Sequence, residues 1–174
     1  MTDANGQPVT WEEVYGNVKP KDEEYRSYWA IKLPSKNFAA PLTVTLSAAS
    51  VDLQPVPFTF DVGAAPQAGQ NWDINQSLPL FGSSAQILKV SLVSLDGNLD
   101  FTLDVQVDAN VIGDLYLATP LNQCMGGGGG YPTERLSQLQ VIVPMCRPDL
   151  PPGIVQMQVT GAVLWGQWQA IWQP

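Results

Sequence analysis

The stretch Ser84–Asp108, SAQILKVSLVSLDGNLDFTLDVQVD, decides the fold of this chain. In its second half every other side chain is apolar and the residues between them are polar. The apolar set is Leu99, Phe101, Leu103, Val105 and Val107. Because a β-strand turns successive side chains to opposite faces, this half predicts a strand with one dry face and one wet face.

The first half of the stretch alternates in the same way, with Leu88, Val90 and Leu92 on the apolar side. The residues Asp96, Gly97 and Asn98 separate the two halves. Gly97 tolerates the positive φ that a tight hairpin connection demands. The whole stretch therefore predicts an antiparallel hairpin that buries one face against a second layer.

Alternation of apolar and polar residues recurs along the rest of the chain and predicts the remaining strands. The segments concerned are 25–33, 42–46, 51–62, 114–119, 136–143 and 154–172. Pro55 and Pro57 cannot donate to a strand ladder, so this part of their segment belongs at a sheet edge or before the strand proper. Residues 63–82, rich in Gly, Pro, Asn and Gln, predict a long loop that packs down in parts. The sequence thus predicts an all-β fold, a single jelly-roll sandwich or barrel of eight or nine antiparallel strands.

The first 24 residues differ from the rest in being polar and punctuated by Gly and Pro. They predict an N-terminal arm, residues 1–24, before a β-sandwich domain, residues 25–174. A short helix over 11–15 is the alternative, because Thr10 and Glu13 match a capping pattern. Trp11, Val14 and Tyr15 are poor residues to leave in water, so we expect the arm to dock, with a neighbouring subunit as the candidate surface.

Composition narrows the function. The chain has 174 residues, enough for one domain with a real core, and 45 % of them are hydrophobic. Only 14 % are charged, which suits a surface partly covered in an assembly. The formal net charge of -8 repels phosphate, so nucleic acid is not an expected partner.

The chain contains no histidine. This excludes nucleophiles activated by histidine, histidine acid–base catalysis and every histidine metal site. Asp100, Asp104 and Asp108 share one strand face and would offer carboxylates for a glycosidase pair or for calcium. The favoured interpretation is that they keep the outer face of a sheet soluble. We therefore predict a protein that is not an enzyme and needs no cofactor or metal.

Two further features have no catalytic interpretation. The tract Gly126–Gly130 lacks the Lys and Ser or Thr of a phosphate-binding loop and predicts a flexible loop. A bridge between Cys124 and Cys146 would close that loop and add about 3 kcal/mol of stability. Pairing with each other, pairing across a dimer and no pairing at all are three alternatives that the sequence leaves open.

Three tryptophans, Trp165, Trp168 and Trp172, lie close to the C-terminus. Indole faces stack on sugar rings, so a carbohydrate-binding module that uses them is the alternative function. At strand spacing, however, Trp165 points away from the other two. We favour a role in the core for part of this set and in a subunit interface for Trp168 and Trp172, together with the aromatic residues of the arm.

An acidic, histidine-free β-sandwich with a tryptophan-bearing arm, MTDANGQPVTWEEVYGNVKP, resembles the small major capsid protein of tailless icosahedral viruses that contain a membrane. The similarity is to the single vertical jelly-roll lineage of Thermus phages, the sphaerolipovirus type, and covers residues 25–172 by architecture. It implies a structural protein of the virion, assembled in the host cytoplasm, that forms homodimers or larger oligomers. It also implies a second, larger capsid protein as partner and a position near an internal membrane. It maps no catalytic residue onto this chain.

Overall fold

The computed structural model describes residues 1–18, 26–33, 38–80, 82–124 and 134–173, and it describes no side chain between residues 13 and 31. Within these ranges the chain is all-β and has no helix. Consequently no helix of the described residues is long and apolar enough to cross a membrane. The all-β class predicted from alternation is confirmed.

The strands follow one another along the whole chain. Their bounds are β1 Glu12–Val18, β2 Arg26–Lys32, β3 Leu42–Asp61, β4 Asn71–Leu80, β5 Ser83–Leu95, β6 Asn98–Val107, β7 Ile112–Ala118, β8 Gln138–Arg147 and β9 Ile154–Trp172.

Hydrogen bonding arranges these strands in three sheets with the orders β1-β2, β3-β9-β7 and β4-β5-β6-β8. The register pairs given for neighbouring strands are antiparallel. Strand β3, which contains Pro55 and Pro57, lies at the edge of its sheet, as predicted. Pro79 and Pro144 likewise lie on the edge strands β4 and β8. Proline on an edge strand removes a donor that another sheet would otherwise pair with.

Residue contacts divide the chain into two compact units. The terminal unit comprises Met1–Ser47 and Gln167–Pro174, and the central unit comprises Ala48–Gly166. The sequence predicted a different division, with an arm over 1–24 and a domain over 25–174. In the structure both boundaries between the units fall inside long strands, β3 and β9.

The central unit is a β-sandwich with one buried apolar cluster. Both of its sheets supply side chains to that cluster, with Phe58, Leu115 and Met157 from the three-stranded sheet and Ile87, Phe101 and Val143 from the four-stranded sheet. Burying this much aliphatic and aromatic surface is the main force that holds the sandwich together.

The hairpin of β5 and β6 forms as the sequence predicts. Leu95 pairs with Asn98 across a two-residue turn in which Asp96 has φ 51° and Gly97 has φ 80°. Positive φ at both central residues is the type I′ turn, whose twist matches the twist of the flanking strands. All five residues of the predicted dry face of β6 are buried.

The predicted dry face of β5 is wrong at one position. Val90 and Leu92 are buried, but the third inward side chain is Ile87 and not Leu88, which is only half-buried. The pairing of β5 with β6 shifts between Ile87 and Lys89, which leaves Leu88 as the extra residue of a β-bulge. A bulge exchanges the two faces of a strand, so strict alternation fails there.

The predicted loop over residues 63–82 contains a strand, β4, paired along its length with β5. Its signal is present in the sequence, because Trp72, Ile74, Leu78 and Leu80 share one parity. The pattern is masked by Gln76, a polar residue at an inward position, and it continues through the register shift between Asp73 and Gln76, where Asn75 takes φ 49°. The polar composition of the segment reflects its place at a sheet edge and does not indicate a loop.

In the terminal unit, β1 and β2 form a two-stranded sheet in which Glu12 pairs with Lys32 and Val18 with Arg26. Thus 12–18 is a strand, neither a short helix nor a free arm. The residues before it fold against their own chain, since Thr2 and Thr43 exchange backbone hydrogen bonds and the Ala4 amide donates to the Ala39 carbonyl. The beginning of the predicted arm is therefore docked within its own subunit.

Candidate subunit interface

The terminal unit exposes large apolar side chains and buries almost none. Of its described side chains only Leu42 is buried. Its exposed large apolar side chains are Trp11, Leu46, Trp168, Ile171 and Trp172, and we call these five the terminal apolar set. Three of the five are tryptophans, which leave 37 %, 41 % and 47 % of their surface in solvent in chain order. Because exposed indoles are unfavourable in water, this surface is suited to being covered.

One strand shows where this surface begins. In β9 the inward residues Val155, Met157 and Val159 are fully buried, and the neighbouring strand β7 pairs with it as far as Leu164. From Gln167 onward every described residue of β9 is exposed. These exposed residues, 167–172, read QWQAIW and are still mostly apolar and aromatic. The exposed end of β9 thus has the composition of a buried strand.

Phe38 packs against Trp172 in the terminal unit. The two ring centroids are 6.3 Å apart and the rings are tilted by 48°. Aromatic pairs in such offset geometries contribute about 0.5–1.5 kcal/mol beyond the area that they bury. Phe38 therefore fixes the orientation of Trp172 while leaving nearly half of its surface open.

Of the residues that the sequence nominated for an interface, Trp11, Trp168 and Trp172 belong to the same compact unit and are exposed. Val14 and Tyr15 lie on β1, opposite Ala30 and Trp29. Their side chains fall outside the described residues. Sequence reasoning missed Phe38, Leu46 and Ile171. Ile171 had a usable signal, since it lies between two nominated tryptophans.

The Asp3 carboxylate organises the beginning of the terminal unit. Its Oδ1 accepts hydrogen bonds from the amides of Asn5 and Gln7, each at 2.9 Å, and its Oδ2 accepts one from the Ala39 amide at 3.3 Å. Donation by the Gln7 amide, with help from the other two, holds the pKa of Asp3 below its usual value. A charged carboxylate thus ties the first turn to residue 39.

A surface ion pair joins β1 to β2 in the same unit. Lys32 Nζ lies 3.2 Å from Glu12 Oε2, and both side chains are largely exposed. Pairs of this kind contribute at most about 1 kcal/mol and weaken with salt. This ion pair therefore adds little to the stability of the terminal unit.

Trp165 has a different environment from Trp168 and Trp172. It is half-buried in the central unit, where Arg135 Cζ lies 5.8 Å from its ring centroid. On Gly113 a Cβ atom would come within 2.8 Å of the indole, so only glycine permits this packing. Trp165 thus has contacts within its own unit, but it does not belong to the apolar cluster of the sandwich.

Asp100 was expected on the wet face of β6, yet only 7 % of it is exposed. Its Oδ1 accepts a hydrogen bond from the amide of Met145 at 3.1 Å. The register between β6 and β8 shifts at this point, because Met145 and Cys146 form a bulge in β8. The carboxylate satisfies an amide that the bulge removes from the ladder, and that structural task distinguishes Asp100 from Asp104, which lies half-buried beside Gln140.

Cys124 and Cys146 are joined by a disulfide in the structure, with their Cα atoms 5.4 Å apart. Of the alternatives that the sequence leaves open, the structure has the pairing within one chain. The tract Gly126–Gly130 lies outside the described residues. Elsewhere, in the parts of the chain that are described, no group of three or more Cys, Asp or Glu side chains is arranged to hold a metal ion.

Comparison with known proteins gives no relative: no protein-family model, no curated protein and no solved structure matches this chain.

Proposed function

We propose that this chain is a structural protein that associates with copies of itself through its terminal unit, as a subunit of a viral capsid. The observation that carries self-association is the terminal apolar set, three of whose members are tryptophans, in a unit with one buried side chain among those described. Tryptophan is enriched at the centres of protein interfaces, where each indole removes about 150–250 Å² from water. A second copy of the same surface would supply that cover.

The capsid role rests on the resemblance of the sequence together with the sandwich. The first and last strands that form the sandwich, β3 and β9, are neighbours, as a jelly roll requires. In the other sheet, β4, β5 and β6 follow one another in chain order, and a roll of two Greek keys does not have that order. The likeness to the single jelly-roll lineage therefore lies in the paired sheets, the acidity and the small size.

The proposal includes the setting in which such a subunit works. The protein would be part of the virion, assembled in the host cytoplasm next to a larger capsid protein and close to an internal membrane. Nucleic acid is not among the proposed partners, since a net charge of -8 opposes binding to phosphate. The role requires no catalysis and no cofactor.

Sedimentation velocity over a range of protein concentrations tests self-association. The unaltered chain is expected to sediment as a dimer or larger species at micromolar concentration. The double variant Trp168→Ser/Trp172→Ser is expected to dissociate at least about tenfold more readily, which is the loss typical of interface anchors.

A matched control is the double variant Ile142→Ser/Ile154→Ser. Both isoleucines lie in the central unit and are at least as exposed as the tryptophans, at 53 % and 75 %. Their removal lowers surface hydrophobicity without touching the terminal unit, so the oligomer should persist. A monomeric unaltered chain, or equal dissociation of both double variants, would contradict the proposal.

Electron microscopy of concentrated protein tests the capsid role separately. Subunits of a shell are expected to form regular arrays or closed particles from repeated contacts. Dimers that do not assemble further, with or without added membrane vesicles, would agree with self-association and would argue against the role in a shell.

The exposure of Trp168 and Trp172 also favours one alternative, a carbohydrate-binding module. Open indole faces stack on sugar rings, although Trp165 is occupied by Arg135 and Gly113. Titration with soluble plant and bacterial polysaccharides distinguishes the two functions. We expect unchanged tryptophan fluorescence, whereas a saturable shift that disappears in Trp168→Ser/Trp172→Ser would favour the module.

A further inference from the structure

The end of β8 is connected to the segment after β7 in two independent ways. The Gln123 amide donates to the Met145 carbonyl at 3.0 Å, and Cys124 is bonded to Cys146. Met145 and Cys146 are the two residues of the β8 bulge. The end of segment Thr119–Cys124 is therefore fastened to the bulge by one hydrogen bond and one covalent bond. Its beginning is held separately, because the Thr119 hydroxyl donates to the Gln156 carbonyl at 2.8 Å and Leu121 packs against the sandwich core.

The bulge has a support other than the disulfide. The Met145 amide donates to the buried carboxylate of Asp100, which fixes the backbone on the side of β6. Segment Thr119–Cys124 also has internal order, because the Asn122 amide donates to the Thr119 carbonyl and Asn122 Oδ1 accepts from the Cys124 amide. Each of the two partners thus has hydrogen bonds that do not involve the disulfide.

Neither cysteine belongs to the apolar cluster of the sandwich. Cys146 is exposed and takes φ 51°, a left-handed conformation that is unfavourable for a residue other than glycine or asparagine. Cys124 is half-buried. A disulfide with one exposed residue is open to attack by a small thiol, and because Cys146 is the more exposed of the two residues, attack is expected at its sulfur.

We propose that Cys124–Cys146 is a reducible latch, which fastens residues Asn122–Cys124 to the β8 bulge under oxidising conditions and releases them in the presence of small thiols such as glutathione. One thiolate attacks Cys146 Sγ, and Cys124 leaves as a thiolate that takes up a proton. A second thiol resolves the mixed disulfide and frees Cys146 as a thiol. Two electrons thus pass from two small thiols, which become their own disulfide, to the cysteine pair.

The latch concerns the central unit alone and does not depend on self-association. It would stay open where the chain is made if that compartment is reducing, and close after release into an oxidising medium. Because the sandwich core contains neither cysteine, opening is expected to be local.

The test uses the folded full chain with and without reduced glutathione. Alkylation with iodoacetamide followed by mass spectrometry reports free thiols, and amide hydrogen exchange reports Gln123 and, as an internal reference, Leu103 in the central strand β6. After glutathione we expect alkylation of both cysteines and about tenfold faster exchange at Gln123, with Leu103 unchanged. The variant Cys124→Ser/Cys146→Ser should exchange fast at Gln123 in either condition.

Three results would overturn the latch, and all are measured on the unaltered chain. Cysteines that become alkylated only in denaturant would show that the bond is not accessible. Free thiols with unchanged exchange at Gln123 would show that the bond does not hold the segment. Faster exchange at Leu103 as well would make the disulfide a staple of the whole sandwich.

Discussion

The central and terminal units are made from the same kind of strand and treat their apolar residues in opposite ways. In the central unit the alternation of β5, β6 and β9 ends in a shared core, with Phe101, Leu103 and Met157 fully buried. In the terminal unit the described apolar side chains other than Leu42 remain half-buried or exposed, and β9 changes from buried to exposed within a single strand. Alternation therefore predicts that one face of a strand is apolar. Whether that face is buried depends on a second layer of the fold that packs against it.

The largest expected effect tests whether the central unit is the stable part of the chain. Phe101→Ala removes a fully buried ring that meets Phe60 edge-on at a centroid distance of 5.6 Å. Loss of a buried aromatic side chain costs about 3–5 kcal/mol. Urea unfolding followed by circular dichroism measures it. Ile142→Ala, on the exposed face of the neighbouring strand, is the control and should cost less than about 0.5 kcal/mol. Equal losses would contradict the assignment of the core.

The next effect sharpens the comparison at the point where the central unit buries a carboxyl group, that of Asp100. Asp100→Ala leaves the Met145 amide inside the protein without its acceptor, which costs about 1–3 kcal/mol. Asp104→Ala on the same strand face is the matched control, because Asp104 is only half-buried. Urea unfolding of the two variants should differ clearly. A smaller loss for Asp100→Ala than for Asp104→Ala would argue against the structural role of this carboxylate.

A smaller effect is expected from the aromatic pair of the terminal unit. Phe38→Ala removes the ring beside Trp172 and should cost about 0.5–1.5 kcal/mol, since much of that pair already faces water. The loss should be confined to the terminal unit. Amide exchange at Thr2 and Thr43, which hydrogen-bond each other, is expected to accelerate while exchange at Leu103 does not change. If Phe38→Ala lowered the free energy of unfolding as much as Phe101→Ala does, the two units would not differ in how strongly their aromatic side chains stabilise the fold.

The smallest effect is a dependence on pH at the beginning of the terminal unit. The pKa of Asp3 is lowered in the folded chain, chiefly by the Gln7 amide. The stabilisation is therefore fully present above the unfolded pKa, near 3.8, and disappears as the pH falls through the lower folded pKa. The amide resonances of Asn5, Gln7 and Ala39 should shift together below that pH in nuclear magnetic resonance spectra.

Asp3→Asn should abolish this common titration. Asp61→Asn is the matched control, because Asp61 accepts from the Gly63 amide in a similar local turn within the central unit. It should leave the titration of the three amides unchanged. Titration of these amides that persists in Asp3→Asn would show that another group controls the turn.

Much of the interface candidate could be predicted from residue type alone. Trp11, Trp168 and Trp172 were nominated because large aromatic residues in a chain with few charges need cover, and all three are exposed in one unit. Phe38 could not be nominated, since nothing around it in the sequence indicates that it packs on Trp172. The strand β4 was missed because its polar positions, which face away from the core at a sheet edge, resemble those of a loop.

The sequence by itself determined the all-β class and the hairpin of β5 and β6 with a positive φ at Gly97, because period-two alternation and positive φ are local properties. Only the tertiary structure decided that Ile87 replaces Leu88 in the core, that Asp100 is buried to serve the β8 bulge, and that the two cysteines meet. It also decided which half of β9 is covered. Those outcomes depend on register and on which layer lies opposite a strand, and neither is encoded within the strand itself.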